Sequence, residues 1–86
     1  MGLKKKVWEL DGDTLIVYSN AGVKGYCREN NIRVAEFNMK VVVHETVTNC
    51  QFLFSGCKSL TITPELHPNI KYCNHMFECC YSLKDV

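Results

Sequence analysis

The sequence predicts a small α+β fold in which an N-terminal β-hairpin precedes two similar units of 23 residues. Three observations predict it: an Asp-Gly turn between two β-prone runs, an ungapped internal similarity, and a change from strand to helix periodicity within each unit. We expect a single domain, with a β-hairpin and cap region at 1–42, a first unit at 43–65 and an incomplete second unit at 66–86.

The hairpin is the clearest local signal in the N-terminal half. Two β-prone runs, residues 7–10 and 14–18, flank Asp11-Gly12-Asp13. A short loop containing Asp-Gly between such runs is typical of a β-hairpin. Further along the chain, residues 23–33 predict a short helix, and the apolar alternation over 34–43 predicts a strand with one buried face.

The internal similarity relates residues 43–60 to residues 66–83 at an offset of 23. Over these 18 positions six residues are identical, and three more pairs keep apolar character. The identical pairs are His44/His67, Cys50/Cys73, Phe54/Phe77, Cys57/Cys80, Ser59/Ser82 and Leu60/Leu83. A fixed period of 20–50 residues is typical of architectures built from stacked units.

Each unit reads as a short helix, a strand and a turn. Apolar residues at i, i+3, i+4 and i+7 predict one buried stripe of a helix, formed by Cys50, Leu53, Phe54 and Cys57 and by Cys73, Met76, Phe77 and Cys80. Gly56 stands where a left-handed residue would end the first helix. Leu60 and Ile62 predict a following strand with both side chains inward.

One strand, one turn and one short helix in 23 residues is the unit of a leucine-rich-repeat coil. The predicted fold is therefore a short leucine-rich-repeat-like coil of two strand-turn-helix units with an N-terminal β-hairpin cap. Stacked units are usually stable only from about three units upward. We therefore expect residues 1–42 to cover one end of the coil and the C-terminal edge to stay open.

The segments VTNCQFLFSGCKSLTITPEL and YCNHMFECCYSL resemble the BspA-like leucine-rich repeats of bacterial surface and phage-borne proteins, whose pattern is V-T-x-C/M-x-x-M-F-x-G-C-x-S-L. The resemblance covers about residues 43–86. It implies a non-enzymatic protein associated with adhesion and protein binding. The second unit departs from the pattern where Cys79 replaces the glycine and Tyr72 replaces the capping residue.

Composition excludes several functional classes. The net charge is +1, so no basic field favours nucleic acid, and Lys4-Lys5-Lys6 reads as a solvated tail. No apolar stretch is long enough to span a membrane, and no secretion signal is visible, so we expect a cytoplasmic protein, or a cell-surface one if the chain is a fragment. The similarity predicts that Cys50, Cys57, Cys73 and Cys80 are buried, reduced thiols; one or more disulfides are the alternative.

The sequence predicts no cofactor, no metal ion and no catalytic residue. Structural zinc sites use closely paired ligands, and the chain has no such pairs. A catalytic thiol needs a base within reach, and every Cys–His pair here is explained by the periodicity. Asp11 and Asp13 are explained by the hairpin turn.

Binding to another protein is the favoured function. The candidate contact residues lie outside the apolar stripes and are Phe52, Lys58, His75, Glu78 and Tyr81. The partner is a protein that the sequence does not identify, and self-association through the open C-terminal edge is a further hypothesis. Two alternatives stay open: an inhibitor from a phage or mobile element that blocks a host defence enzyme such as a CRISPR nuclease, and a fragment of a larger bacterial surface adhesin.

Overall fold

The computed structural model describes residues 7–83 and shows an α+β fold with a three-stranded mixed sheet and one α-helix. All of its regular elements lie before residue 44. The predicted Lys4–Lys6 tail and the last three residues of the second unit, 84–86, lie outside the described residues.

The predicted hairpin is present at the N-terminal end of the sheet. Strand β1 (Trp8–Asp11) pairs antiparallel with strand β2 (Thr14–Val17). The loop between them has two residues, and Gly12 adopts a φ of 62°. That left-handed backbone is open to glycine without steric cost, so Gly12, as the first of the two loop residues, favours the tight turn that sets the register of the hairpin.

Helix α1 (Gly22–Glu29) follows β2 and packs on the sheet. Its buried face carries Val23, Tyr26 and Cys27. The helix begins at a glycine because a Cβ there would lie 2.6 Å from the Cβ of Val17. The helix predicted over 23–33 is therefore present, but it ends four residues earlier.

Strand β3 (Lys40–Val43) returns the chain to the sheet, parallel to β2. The strand predicted over 34–43 is shorter than expected because its first part forms a 3-10 turn, Val34–Glu36. The strand order is β1-β2-β3, and β2 lies in the centre. Side chains of β2 and β3 alternate, so Leu15, Val17, Val41 and Val43 point into the core.

The predicted coil of two strand-turn-helix units is wrong. Among the described residues 44–83 there is no helix and no strand, and the bridges Val42–Glu65 and Asn49–Tyr72 are isolated. The stripe spacing of Cys50, Leu53, Phe54 and Cys57 comes from successive turns, because Phe52 has a φ of 60° and no α-helix continues through it.

Two turn segments take the place of the predicted helices: residues 49–57, the first turn segment, and residues 72–80, the second. Both contain hydrogen bonds from an N–H to the carbonyl three residues earlier. The donor and acceptor pairs are Leu53–Cys50, Ser55–Phe52 and Cys57–Phe54 in the first segment, and Met76–Cys73, Glu78–His75 and Cys80–Phe77 in the second. The two segments lie side by side and are joined through their backbones.

One hydrophobic core connects the sheet, α1 and the first turn segment. Phe37, Leu53, Phe54 and Leu60 have no more than 1% of their surface exposed. Ile62 is 39% exposed, so the prediction that it points inward is wrong. The second turn segment contributes less to this core, since Met76 is its one fully buried residue within the described part of the chain.

The two turn segments differ in which residue takes their last left-handed position, Gly56 in the first (φ 86°) and Cys79 in the second (φ 63°). We expect Gly56→Ala to lower the free energy of unfolding by about 1–2 kcal/mol, because a Cβ strains a left-handed backbone. Space is not the cause, since that Cβ would meet Val34 at an ordinary 3.8 Å. Cys79→Gly should raise stability by up to about 1 kcal/mol. Urea unfolding measures both, and a loss in both variants would contradict the assignment of strain.

Candidate functional site

Phe52 and His75 form an aromatic stack on the surface of the two turn segments. Their ring centroids lie 5.0 Å apart, and the ring planes differ by 11°. Phe52 is 45% exposed, and the His75 side chain is 58% exposed. The structure therefore brings together two of the predicted contact residues.

The backbone explains why these two rings face solvent. Phe52 and His75 both have left-handed φ values, 60° and 57°. Their neighbours Leu53 and Met76 are buried. The left-handed residue reverses the local direction of the chain at each position, so one side chain projects outward and the next enters the core.

Glu78 is held beside the stack by two contacts. Its Oε2 lies 3.4 Å from Nδ1 of His75, and its Oε1 accepts a hydrogen bond of 3.2 Å from the Ser55 hydroxyl. The carboxylate is 47% exposed, so this contact is screened by water and contributes little to stability. Its effect is to order the charged group in a fixed position next to the His75 ring.

Tyr81 extends the same surface. It is 75% exposed, and its hydroxyl donates to Sγ of Cys79 at 3.4 Å. That hydrogen bond, with a smaller contribution from the nearby Glu78 charge, raises the pKa of the Tyr81 phenol. We call Phe52, His75, Glu78 and Tyr81 the display face.

Lys58 is the fifth predicted contact residue, and it is exposed. Within residues 7–83 no hydrogen bond, ion pair or ring contact joins Lys58 to the display face. The structure therefore brings together four of the five predicted contact residues.

The four cysteines predicted to be buried do not share one environment. Cys50 and Cys57 are fully buried, Cys80 is half-buried, and Cys73 is exposed, so the prediction for Cys73 is wrong. The reason is that the second turn segment has no chain packed on its outer side within the described residues. All six cysteines of the chain are free thiols.

Burial controls the chemistry of the inner thiols. It raises the pKa of the Cys57 thiol to about 12, with smaller contributions from the neighbouring Cys80 and Cys27. Burial also raises the pKa of Cys27, Cys50 and Cys80. The Cys80 thiol in addition donates to the carbonyl of Phe54 at 3.1 Å. Because the thiolate is the nucleophilic form, the raised pKa lowers the reactivity of these four thiols at neutral pH.

An open depression of about 300 Å³ lies beside the end of β3, lined by Val42, Val43, His44, Glu45, Glu65, Leu66 and His67. His67 Nδ1 accepts a hydrogen bond from the N–H of Asn69, and its Nε2 has no partner within the described residues. No group of three His, Cys, Asp or Glu residues in the described part of the chain is arranged to hold a metal ion.

Sequence reasoning missed the outer face of the second turn segment. Cys73 and Cys79 are exposed there, and Tyr72 is 54% exposed. A signal was present in the sequence, because Tyr72 and Cys79 are two positions where the second unit departs from the first. Both departures stand at surface positions.

No family model, curated protein or solved structure matches this chain. Its resemblance to BspA-like repeats is therefore a hypothesis carried by its own residues. None of the helices in the described residues has the length and apolar character needed to cross a membrane.

The burial of the thiols predicts how they react. In the folded protein, Cys73 and Cys79 should react with a thiol reagent such as DTNB, while Cys27, Cys50 and Cys57 should react only after unfolding in urea. Mass spectrometry of the labelled chain counts the modified residues. Cys73→Ser and Cys79→Ser should each remove one rapidly reacting group, and rapid labelling of Cys57 in the native protein would contradict the described core.

The Cys57 thiol also predicts a loss of stability at alkaline pH. Its pKa is 9.0 in an unfolded chain and about 12 in the fold. Its contribution is thus fully present below pH 9 and is lost as pH rises from about 9 to 12, because the unfolded chain releases a proton that the folded chain retains. Urea midpoints should fall over this range, and less steeply in Cys57→Ala than in the control Cys73→Ala. Equal slopes would contradict the assignment.

Proposed function

We propose that this protein is a non-enzymatic protein–protein interaction module that binds its partner through the display face. The observation that carries the proposal is the pair Phe52 and His75, which are exposed, stacked and left-handed in backbone conformation at the same time. Strained residues that the surrounding structure holds in place cluster at functional sites.

The energetics of the Phe52 position support a binding role. A left-handed backbone costs a non-glycine residue roughly 1–2 kcal/mol, and a glycine would relieve that cost. An exposed phenylalanine in addition loses the stabilisation that burial of its ring would provide. Contacts inside the molecule offset the second cost only in part, since 45% of the Phe52 surface stays exposed beside its stacked partner His75. A partner that covers the ring would recover the free energy of burying its exposed apolar surface.

Order in the free protein also favours recognition. The His75 ring stacks on Phe52 and contacts Glu78 through its Nδ1, and Tyr81 is held by its hydrogen bond to Cys79. Side chains that are already ordered lose less entropy when a partner binds. Tyrosine and other aromatic residues are also among the side chains that contribute most to interface energies.

The partner class that fits these groups is a protein. Aromatic rings beside one histidine and one carboxylate suit a mixed apolar and polar surface, and a net charge of +1 gives no general attraction for nucleic acid. The resemblance to BspA-like repeats points in the same direction. The four inner thiols, with raised pKa values, support a non-enzymatic role.

The proposal is tested by affinity capture from the native host with three forms of the full chain. Phe52→Ala should reduce the recovered partner about tenfold or more, the effect expected of a residue at the centre of an interface. Leu10→Ala is the matched control, because Leu10 lies in β1 and is 44% exposed, close to the 45% of Phe52. It should leave recovery unchanged.

Quantitative mass spectrometry compares the captured proteins, and thermal unfolding verifies that each variant is folded. Equal recovery with Phe52→Ala and the unsubstituted chain would overturn the assignment of the display face. Recovery of no partner by any form, together with turnover of a substrate, would overturn the function itself.

A further inference from the structure

A row of backbone hydrogen bonds joins the two turn segments. Four N–H groups of the first segment donate to four carbonyl oxygens of the second, at alternate residues on both sides. The pairs are Cys50 to Tyr72 (2.6 Å), Phe52 to Asn74 (3.2 Å), Phe54 to Met76 (2.9 Å) and Gly56 to Glu78 (2.9 Å). Every donor of the row comes from the first segment and every acceptor from the second.

The second turn segment has the backbone conformation of the first. Its three internal hydrogen bonds connect the equivalent residues, and its left-handed positions, His75 and Cys79, match Phe52 and Gly56. Chains of the same conformation lying side by side direct their equivalent N–H groups the same way. The N–H groups of Cys73, His75, Phe77 and Cys79 therefore point away from the first segment, at the outer edge of the second.

None of these four N–H groups has an acceptor within residues 7–83. Three of the residues are exposed, and Phe77 is half-buried. Phe77 stacks on Phe54 with parallel ring planes and centroids 5.6 Å apart, which leaves its other face toward the edge. The edge thus presents a row of donors beside two aromatic rings, those of Phe77 and His75.

We propose that this outer edge binds a segment of a partner protein through the partner's backbone, by donating hydrogen bonds to its carbonyl oxygens at alternate residues. The inference rests on the proposed function and adds the chemistry of recognition to it. Addition of a peptide backbone to an unpaired edge is an established mode of recognition, in which backbone hydrogen bonds supply affinity and side-chain contacts supply specificity. The ring of Phe77 selects a partner with an apolar or aromatic side chain at that level of the row.

Hydrogen-bond chemistry disfavours a second copy of this chain as the occupant. Two copies that meet through the same edge would place N–H groups against N–H groups, and no hydrogen bond forms between donors. A head-to-tail arrangement would need free carbonyls on the other side of the first turn segment. On that side Asn20 Nδ2 already donates to the carbonyl of Gln51, and Val34 lies beside Gly56, so the chain itself stands in the way of a second copy.

The test uses the full chain and a synthetic peptide of residues 66–83 carrying Cys73→Ser, Cys79→Ser and Cys80→Ser. This peptide contains the carbonyl groups that the first turn segment recognises within the molecule. Amide hydrogen exchange measured by NMR follows each N–H group of the row. In the free protein the amides of Phe52, Phe54 and Gly56 should be protected, and those of His75, Phe77 and Cys79 should exchange freely.

With saturating peptide, the exchange of His75, Phe77 and Cys79 amides should slow by about tenfold or more. A scrambled peptide of the same composition is the control and should leave the rates unchanged. The absence of any change up to the solubility limit of the peptide would overturn the inference. The inference would also be overturned if the free protein were a dimer in solution with the amides of His75, Phe77 and Cys79 already protected.

The two proposals fail separately. A peptide that shifts signals of Phe52 and Tyr81 without protecting the edge amides would overturn backbone recognition and leave the display face intact. Conversely, the peptide could protect the edge amides while Phe52→Ala leaves the recovery of the host partner unchanged. That result would support backbone recognition at the edge and overturn the display face as the binding surface.

Discussion

Backbone hydrogen bonding between the two turn segments is the interaction on which the C-terminal half of the molecule depends. Residues 44–83 contain no helix or strand within the described chain, so the usual ladders cannot satisfy their polar backbone groups. The four bonds from the first segment to the second supply partners for the donors that lie nearest the core. The stacks of Phe54 on Phe77 and of Phe52 on His75 follow from the same alignment. Loss of the second segment would expose both the donors and the rings.

The N-terminal half was largely predictable from the sequence because its signals are local. Gly12 favours a tight turn, and the β-prone runs on either side of it have nothing else to pair with at that distance. The parallel pairing of β2 with β3 could not be predicted, since it joins Val17 to Val43 across a connection of many residues. Alternation over 34–43 showed which side chains of β3 are buried, but it did not show that Val34–Glu36 would form a 3-10 turn.

In the C-terminal half, the spacing of buried residues was informative and its interpretation as helices was wrong. A period near 3.6 arises from a helix, but successive three-residue turns bury the same positions. The difference lies in one dihedral angle at Phe52 and at His75, and a positive φ is uncommon for any residue other than glycine. The candidate site shows the same limit. Four contact residues could be predicted because they fall outside the apolar stripes: Phe52, His75, Glu78 and Tyr81. The exposure of Cys73 could not be predicted, because it depends on whether another part of the chain packs on the second turn segment.

The alignment of the turn segments has a consequence for the order in which the chain is made. The donors of residues 50–56 pair with carbonyls of residues 72–78, so about 22 residues of chain must follow before the first donors are satisfied. During synthesis from the N-terminus, the first turn segment is itself the unpaired edge of the nascent chain, with Phe54 uncovered beside it. Contacts this distant in sequence form slowly, because the entropy of closing the intervening loop is lost before the bonds form. The newly made protein therefore passes through an interval in which its first turn segment has the same open donors as the outer edge of the second.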